Sequence, residues 1–222
     1  MKNLKILKKF SNKIYIEKTD GTRKRIFPFR GLKGLRIKFS GENSTVVLKE
    51  PLGKFKNSKI KCANNCFVEI GASVKISGLF LSAEADRSTC IIGKKTSFNK
   101  NTLLLLNAEP NLKISFGEDC MVASNVIIRT SDAHAIRDIH SNKITNFGKD
   151  ISIGNHCWIA MDATVLKGVT MADNVVVGSR SVVTKDCLTP NSIYAGSPAQ
   201  LIKENVNWQR ENPYLASQMD LK

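Results

Sequence analysis

The sequence predicts an all-β chain wound as a parallel β-helix, a triangular solenoid, and three observations carry that prediction. Stepping by six from Ile153 meets Ile159, Val165, Met171, Val177 and Val183, aliphatic at every stop. The residue after each is mostly small, as in Gly154, Ala160, Ala172 and Gly178, and the fifth of each hexad is small or β-branched, as in Cys157, Ala163, Val169, Val175 and Ser181. The same period runs upstream in another phase through Ile92, Phe98, Leu104, Phe116, Val122 and Ile128, broken at Pro110. A helix repeats near 3.6 residues and a strand at about 2, so a period of six fits neither alone. It fits a coil of eighteen residues with three flat faces, each pointing an aliphatic side chain inward. Each face is buried only by stacking on the next coil.

The elements follow in order. Residues 1–30 lack the repeat and alternate weakly, as in KIYIEK, which predicts a short strand or hairpin. The solenoid is expected over 31–200, with Ile70 and Ile76 in a third phase. Changes of phase imply loops, one of them between about 77 and 91. From Ile128 to Ile153 is 25 residues, one more than four hexads, so residues 130–148 are expected to leave the solenoid as a loop. Long loops on rigid scaffolds often carry function. After Lys185, Pro and Gly punctuate the end of the solenoid. Residues 201–222 are expected to form a helical cap, broken or restarted at Pro213.

Composition narrows the class. Hydrophobic residues are 42% and charged residues 24% of 222, an ordinary globular balance. No apolar run approaches the roughly 20 residues that span a bilayer, so no membrane insertion is expected. The start, MKNLKILKKF, is basic without the apolar core of a secretory signal, and a cytoplasmic location is expected. The six cysteines, 62, 66, 90, 120, 157 and 187, form no CxxC pair. They read as reduced core residues, and no metal is expected.

Lys and Arg number 34 against 19 acids, a net +15. Residues 1–60 hold 17 of the cations and 4 of the acids. Such a region can attract nucleic acid, anionic headgroups, acidic glycans or phosphorylated cofactors, and peripheral contact with a membrane fits it as well.

The stretch ISIGNHCWIAMDATVLKGVTMADNVVVGSRSVVTKD, residues 151–186, with YAGSPAQLIK, 194–203, resembles the hexapeptide-repeat acyltransferases. The loop text SDAHAI, 131–136, is similar to the branch that O-acetylates sugars and polysaccharides. This resemblance implies a left-handed parallel β-helix, a homotrimer with active sites in grooves between subunits, acetyl-CoA as donor, and direct transfer without an acyl-enzyme. Three positions depart from the family pattern: Ala160 and Arg180 stand where Gly is usual, and Ser179 where Ala is usual. Arg180 is bulky enough to meet a phosphate or narrow the groove.

Attack of a hydroxyl on a thioester needs a base, a donor for the developing oxyanion, and a surface that aligns both substrates. An imidazole, with an unperturbed pKa of about 6.5, is the natural base near neutrality. The chain has three histidines, His134, His140 and His156. His134, 24 residues before Trp158, matches the family's catalytic histidine, and Asp132 is placed to orient it. His140 is a candidate for substrate contact, whereas His156 reads as an exposed coil residue. Trp158 points outward, where a groove would cover it beside the pantetheine arm or the acceptor, and its backbone N–H or that of Ala160 is a candidate oxyanion donor. By the same resemblance Ser179, Arg180, Thr184 and Lys185 are expected to contact CoA, Lys203 its phosphates, and Asn101 the acceptor.

The resulting expectation is an acetyl-CoA-dependent O-acetyltransferase acting on a sugar or surface polysaccharide, with N-acetylation of an amino sugar as the alternative. A zinc carbonic anhydrase on the same solenoid would need three convergent histidines. A nucleic-acid-binding solenoid would show a recognition helix or an aromatic-studded basic groove, and neither is visible.

Overall fold

The structure, a computed structural model, describes residues 11–26 and 32–219. Three sheets form the faces of a prism. The first face stacks Lys13–Glu17, Thr45–Lys49, Phe67–Ile70, Thr89–Ile92, Lys113–Phe116, Ile151–Ile153 and Thr170–Met171. The second stacks Lys54–Lys56, Lys75–Ser77, Ser97–Phe98, Met121–Val122, Trp158–Ile159, Val175–Val177 and Ser192–Gly196. The third stacks Leu35–Phe39, Ser58–Cys62, Leu79–Ala83, Thr102–Leu105, Ile127–Arg129, Thr164–Val165 and Val182–Val183. All of these pair in parallel, and the chain visits the faces in that order.

The hexad positions form the core. Ile153, Ile159, Val165, Met171, Val177 and Val183 are each 2% exposed or less, and so are Cys157, Ala163, Val169, Val175 and Ser181. Fully burying one such aliphatic side chain is worth about 1.5–3 kcal/mol, and the stack repeats it on every face.

The corners explain the polar punctuation. Between the first and second faces Ser73, Lys95, Asp119, His156 and Asn174 all have φ between 51° and 60°. Between the second and third faces Asn57, Asn101, Asn125, Asp162 and Arg180 do the same at 48° to 63°. A left-handed residue turns the chain sharply, and Asn and Asp bear that conformation at least cost after Gly. The glycine that opens a corner has a different reason. A Cβ on Gly93 would lie 2.1 Å from the Gly117 carbonyl oxygen, so coils approach there too closely for any side chain.

The eighteen-residue coil holds only towards the C-terminus. Leu48, Ile70, Ile92, Phe116, Ile153 and Met171 lie in register on the first face, and only the last step is eighteen residues. Earlier coils are longer because the corner between the third and first faces takes extra residues, which is what shifts the phase of the repeat.

At the N-terminal end Lys13–Glu17 pairs antiparallel with Arg23–Arg25 and parallel with Thr45–Lys49, so the strand pair extends the first face. The rest of the 1–30 expectation, residues 1–10 and 27–30, lies outside the described residues. The C-terminus corrects the expected helix from 201. Ala199–Lys203 is a strand, antiparallel to Ser192–Gly196, because the turn at Gly196 and Pro198 folds it back onto an open sheet edge. The helix begins later, at Pro213–Met219, with Pro213 at its first position and the Asn212 side chain accepting the Leu215 N–H at 2.9 Å. All six cysteines are unpaired and buried, and burial pushes the Cys90 and Cys187 thiols up to about 12, far from thiolate chemistry.

Candidate active site

The 130–148 segment leaves the prism between Ile127–Arg129 on the third face and Ile151–Ile153 on the first. Val183 follows Val165 by one coil of eighteen in register, whereas Ile128 pairs with Val165 across 37 positions, so the segment is extruded between adjacent coils. Glu109, on the corner one coil earlier, ties both its stems. It accepts the Ser131 hydroxyl at 2.5 Å and the Gly148 N–H at 2.8 and 2.9 Å. The segment then closes on itself as a finger. Thr145 N–H donates to the Ile136 carbonyl at 2.9 Å, Asp138 N–H to the Lys143 carbonyl at 2.9 Å, and Arg137 bridges Ile144. The Asp138 carboxylate caps the tip, accepting the N–H of His140 at 3.1 Å and of Ser141 at 2.7 Å.

His134 stands on the outgoing limb with its side chain exposed, and its carbonyl accepts the Asn146 side-chain amide at 2.9 Å. Asp132 does not turn its recorded bonds to that ring. Its Oδ2 accepts Lys167 Nζ and, at 3.0 Å, Asn146 Nδ2. Lys167 also donates to the Asn146 carbonyl at 2.7 Å. The hydrogen bond from Lys167, then that from Asn146, holds the Asp132 carboxyl below its ordinary value. Asp132 thus orders the finger through Asn146, which in turn fixes the His134 backbone.

The second face carries a separate aromatic group. Trp158 points outward as expected and is half-buried, its ring centroid 6.0 Å from that of Trp208. Trp208 is 6% exposed and stacks on His156 at 4.3 Å, with its indole N–H donating to the His156 carbonyl at 2.6 Å. His156 is therefore not a free coil residue. Its Nδ1 lies 2.9 Å from Asp119 Oδ2 and its Nε2 3.0 Å from the Trp208 carbonyl oxygen. Arg210 completes the clasp, donating to Asp119 Oδ1 at 3.0 and 3.1 Å and to the Ser97 hydroxyl at 2.9 Å. The returning C-terminal segment covers part of Trp158 within one chain.

The remaining expected residues fall on three separate edges and faces. Thr184 and Lys185 are exposed on the same edge as the finger, one coil beyond Lys167. Ser179 and Arg180 are exposed on the edge between the second and third faces, where Arg180 Nε is 3.6 Å from Asp162. Asn101 is on that edge too, its side chain donating to Asn125 at 3.1 Å in a ladder of corner residues. Lys203 is exposed on the terminal strand of the second face. Ala160 is 6% exposed, and its N–H donates to the Val177 carbonyl at 2.9 Å, which removes it as an oxyanion donor.

The edge that carries His134 is opposite the face that carries Trp158. One chain places the two on opposite sides of the prism. Sequence reasoning missed Glu109, Asn146 and Lys167, which shape the finger, and Trp208, Asp119 and Arg210, which clasp the second face. Among the described residues no cluster of His, Cys, Asp or Glu could hold a metal, and no helix is long and apolar enough to cross a membrane.

Comparison with known proteins gives the family. Residues 150–185 match the model of the bacterial transferase hexapeptide (six repeats). A polysialic acid O-acetyltransferase of Neisseria meningitidis is 40% identical over 172 residues, covering 77% of this chain and 78% of that protein. A polysialic acid O-acetyltransferase of Escherichia coli O1:K1 / APEC is 33% identical over 144 residues, 65% of this chain, and the match spans 45% of that longer protein. The solved structure of the polySia-specific acetyltransferase NeuO superposes with a TM-score of 0.76 at 26% identity, covering 96% of this chain and 89% of that one. The polysialic acid O-acetyltransferase OatWY gives 0.72 at 30% identity, covering 95% of each chain. With the prism, its left-handed coiling and the finger in place, the chain belongs to the hexapeptide-repeat O-acetyltransferases.

Proposed function

We propose that the protein transfers an acetyl group from acetyl-CoA to a hydroxyl of an acidic polysaccharide, with His134 as general base and the site shared between subunits of a homotrimer. The observation that carries this reading is the placement of His134 on a finger tied at both stems, on the edge opposite Trp158. A finger that cannot reach its own second face can reach that of a neighbouring copy. Its apolar side chains agree: Ile136 is 59%, Ile139 89% and Phe147 61% exposed in the single chain, and a neighbour would cover them. The acceptor class comes from the relatives, two of which are polysialic acid O-acetyltransferases.

In this site acetyl-CoA supplies a thioester whose carbonyl accepts a nucleophile. The chain's exposed cations Arg180, Lys185 and Lys203 suit a phosphorylated donor, with Ser179 and Thr184 beside them. Trp158 offers a flat apolar wall to the pantetheine arm or a sugar ring. His134 takes the proton of the acceptor hydroxyl as its oxygen attacks the thioester carbonyl, then returns it to the departing thiolate, so the base is regenerated within each turnover. Asp132 acts on His134 through Asn146, as a positioning residue. His140, at the tip of the finger, and Asn101 are proposed to meet the acceptor.

The experiment is acetyl transfer from acetyl-CoA to a panel of neutral and acidic glycans, following free CoA, with wild type beside His134→Ala. Removal of a general base is expected to cost about 10²- to 10⁴-fold in kcat while CoA binding persists. Equal rates would remove His134 from the mechanism. A wild type that neither transfers nor binds CoA would remove the reading altogether.

A further inference from the structure

The positive charge is concentrated, since residues 1–60 hold 17 of the 34 Lys and Arg and 4 of the 19 acids. On the third face it becomes a block. Leu35–Phe39 turns Arg36 and Lys38 outward, and Ser58–Cys62 turns Lys59 and Lys61 outward. The register sets Arg36 beside Lys59 and Lys38 beside Lys61. Neighbouring strands lie about 4.8 Å apart and alternate residues about 7 Å apart along a strand, so four cations share one small field. Like charges directly opposite in a sheet are destabilising. Among the described residues Glu84 alone is ion-paired to the block, accepting Lys61 Nζ at 3.0 and 3.1 Å.

Three further features describe a surface for a ligand. The Phe80 ring lies beneath both lysines, 5.5 Å from Lys59 Nζ and 5.4 Å from Lys61 Nζ. Gly34, Leu35, Arg36, Asn57, Ser58 and Lys59 line an adjoining groove of about 430 Å³. Partial burial, and then the charges of Lys61, Lys38 and Arg36, hold the Lys59 ammonium below its ordinary value. A fold that keeps an electrostatically unfavourable block in the open keeps it for an anion that neutralises it.

The block also has a direction. In register, Lys59 is followed by Phe80, Leu103 and Ile127, and Lys61 by Ser82, Leu105 and Arg129, after which the His134 finger begins. Three strand spacings separate Lys59 from Ile127, roughly 15 Å. A glycan of one or two sugars acetylated at the finger does not span that distance, whereas a chain of several acidic units does.

We propose that Arg36, Lys38, Lys59 and Lys61 form a holding site for an acidic polysaccharide, gripping carboxylates of units remote from the one being acetylated. The proposal rests on the reading above that the acceptor is an acidic glycan, and it deepens that reading by separating chain capture from acetyl transfer.

The test uses the full chain, with Lys59→Ala/Lys61→Ala, Arg36→Ala/Lys38→Ala and the conservative Lys59→Arg/Lys61→Arg. Long-chain polysialic acid and a sialic acid dimer are the probes. Direct binding of the long polymer is measured against salt, and KM and kcat are measured for both acceptors. Expected are a tenfold or larger loss of polymer binding in the alanine variants, a flatter salt dependence, and rescue in the arginine variant. KM for the polymer rises in parallel, while kcat and the dimer KM stay within twofold. Unchanged polymer binding in alanine variants that keep the wild-type melting point and mass overturns the proposal, even if wild type is an active O-acetyltransferase. A change of mass by light scattering overturns it as well, because the face is then a contact between copies. An inactive wild type whose polymer binding is lost in the alanine variants keeps the holding site and sinks the proposed reaction.

Discussion

Glu109 accepts the Gly148 N–H through both carboxylate oxygens, at 2.9 and 2.8 Å, from 39 residues away in sequence. The same carboxylate takes the Ser131 hydroxyl, so one side chain closes the base of the finger. Hydrogen bonds to a charged group are worth about 1.5–3 kcal/mol. Glu109→Ala is therefore expected to loosen residues 131–148 with little effect on the prism. Faster amide exchange at Gly148 and a tenfold or larger fall in kcat, with the melting point within about 3 °C of wild type, is the expected result. Unchanged exchange at Gly148 would show that the finger holds itself.

Asp132, Lys167 and Asn146 predict coupled rather than independent effects. Lys167→Ala should reduce kcat about as much as Asp132→Ala, and the double variant should be little worse than either, because all three remove one arrangement. Additive losses would instead give Asp132 a direct role at the His134 ring. The folded Asp132 carboxyl lies below its unfolded value of about 3.9, so its contribution is present above that pH and lost as pH falls through the folded value. Exchange in the finger should accelerate below about pH 4 in wild type and show no such step in Asp132→Asn.

The Trp208 clasp should matter chiefly for stability. Trp208 is 6% exposed, stacked on His156 and bonded to its carbonyl. Truncating a buried Trp costs about 3–5 kcal/mol. At about 2–4 °C per kcal/mol for a chain of this size, Trp208→Ala should melt some 6–20 °C lower by calorimetry. A shift under about 2 °C would mean that the returning segment is not anchored there.

The core phase of the prism and the extruded finger were legible in the sequence because both are periodic signals, one kept and one broken. Ile153 to Val183 hold one phase through the last coils, and the 25-residue gap before Ile153 locates the finger. The rest depends on partners that no local pattern specifies. Glu109 meets Gly148 across 39 residues, Lys167 meets Asp132 across 35, and Trp208 meets His156 across 52. The strand Ala199–Lys203 occupies 201–203, the start of the expected helical cap, because its partner edge, Ser192–Gly196, exists only once the last coil has folded. His156 read as exposed for the same reason, since its cover arrives from Trp208.

Gly93 tests the corner geometry. A Cβ there would fall 2.1 Å from the Gly117 carbonyl oxygen, which is backbone and cannot swing aside. Gly93→Ala should cost about 1–3 kcal/mol, the usual range for overpacking, read as a lower denaturant midpoint with an unchanged slope. A neutral substitution would show that successive coils are free to move apart.

The most direct test of the shared site mixes two impaired enzymes. His134→Ala and Trp158→Ala are purified, unfolded together at equal amounts and reassembled, and acetyl transfer is compared with each variant reassembled alone. In a cyclic trimer whose sites pair His134 of one copy with Trp158 of the next, random mixing makes about a quarter of the sites intact. Recovery near that fraction of wild-type activity is the predicted result. Activity no greater than the mean of the two variants would place both residues in a site within a single chain, and would contradict the account.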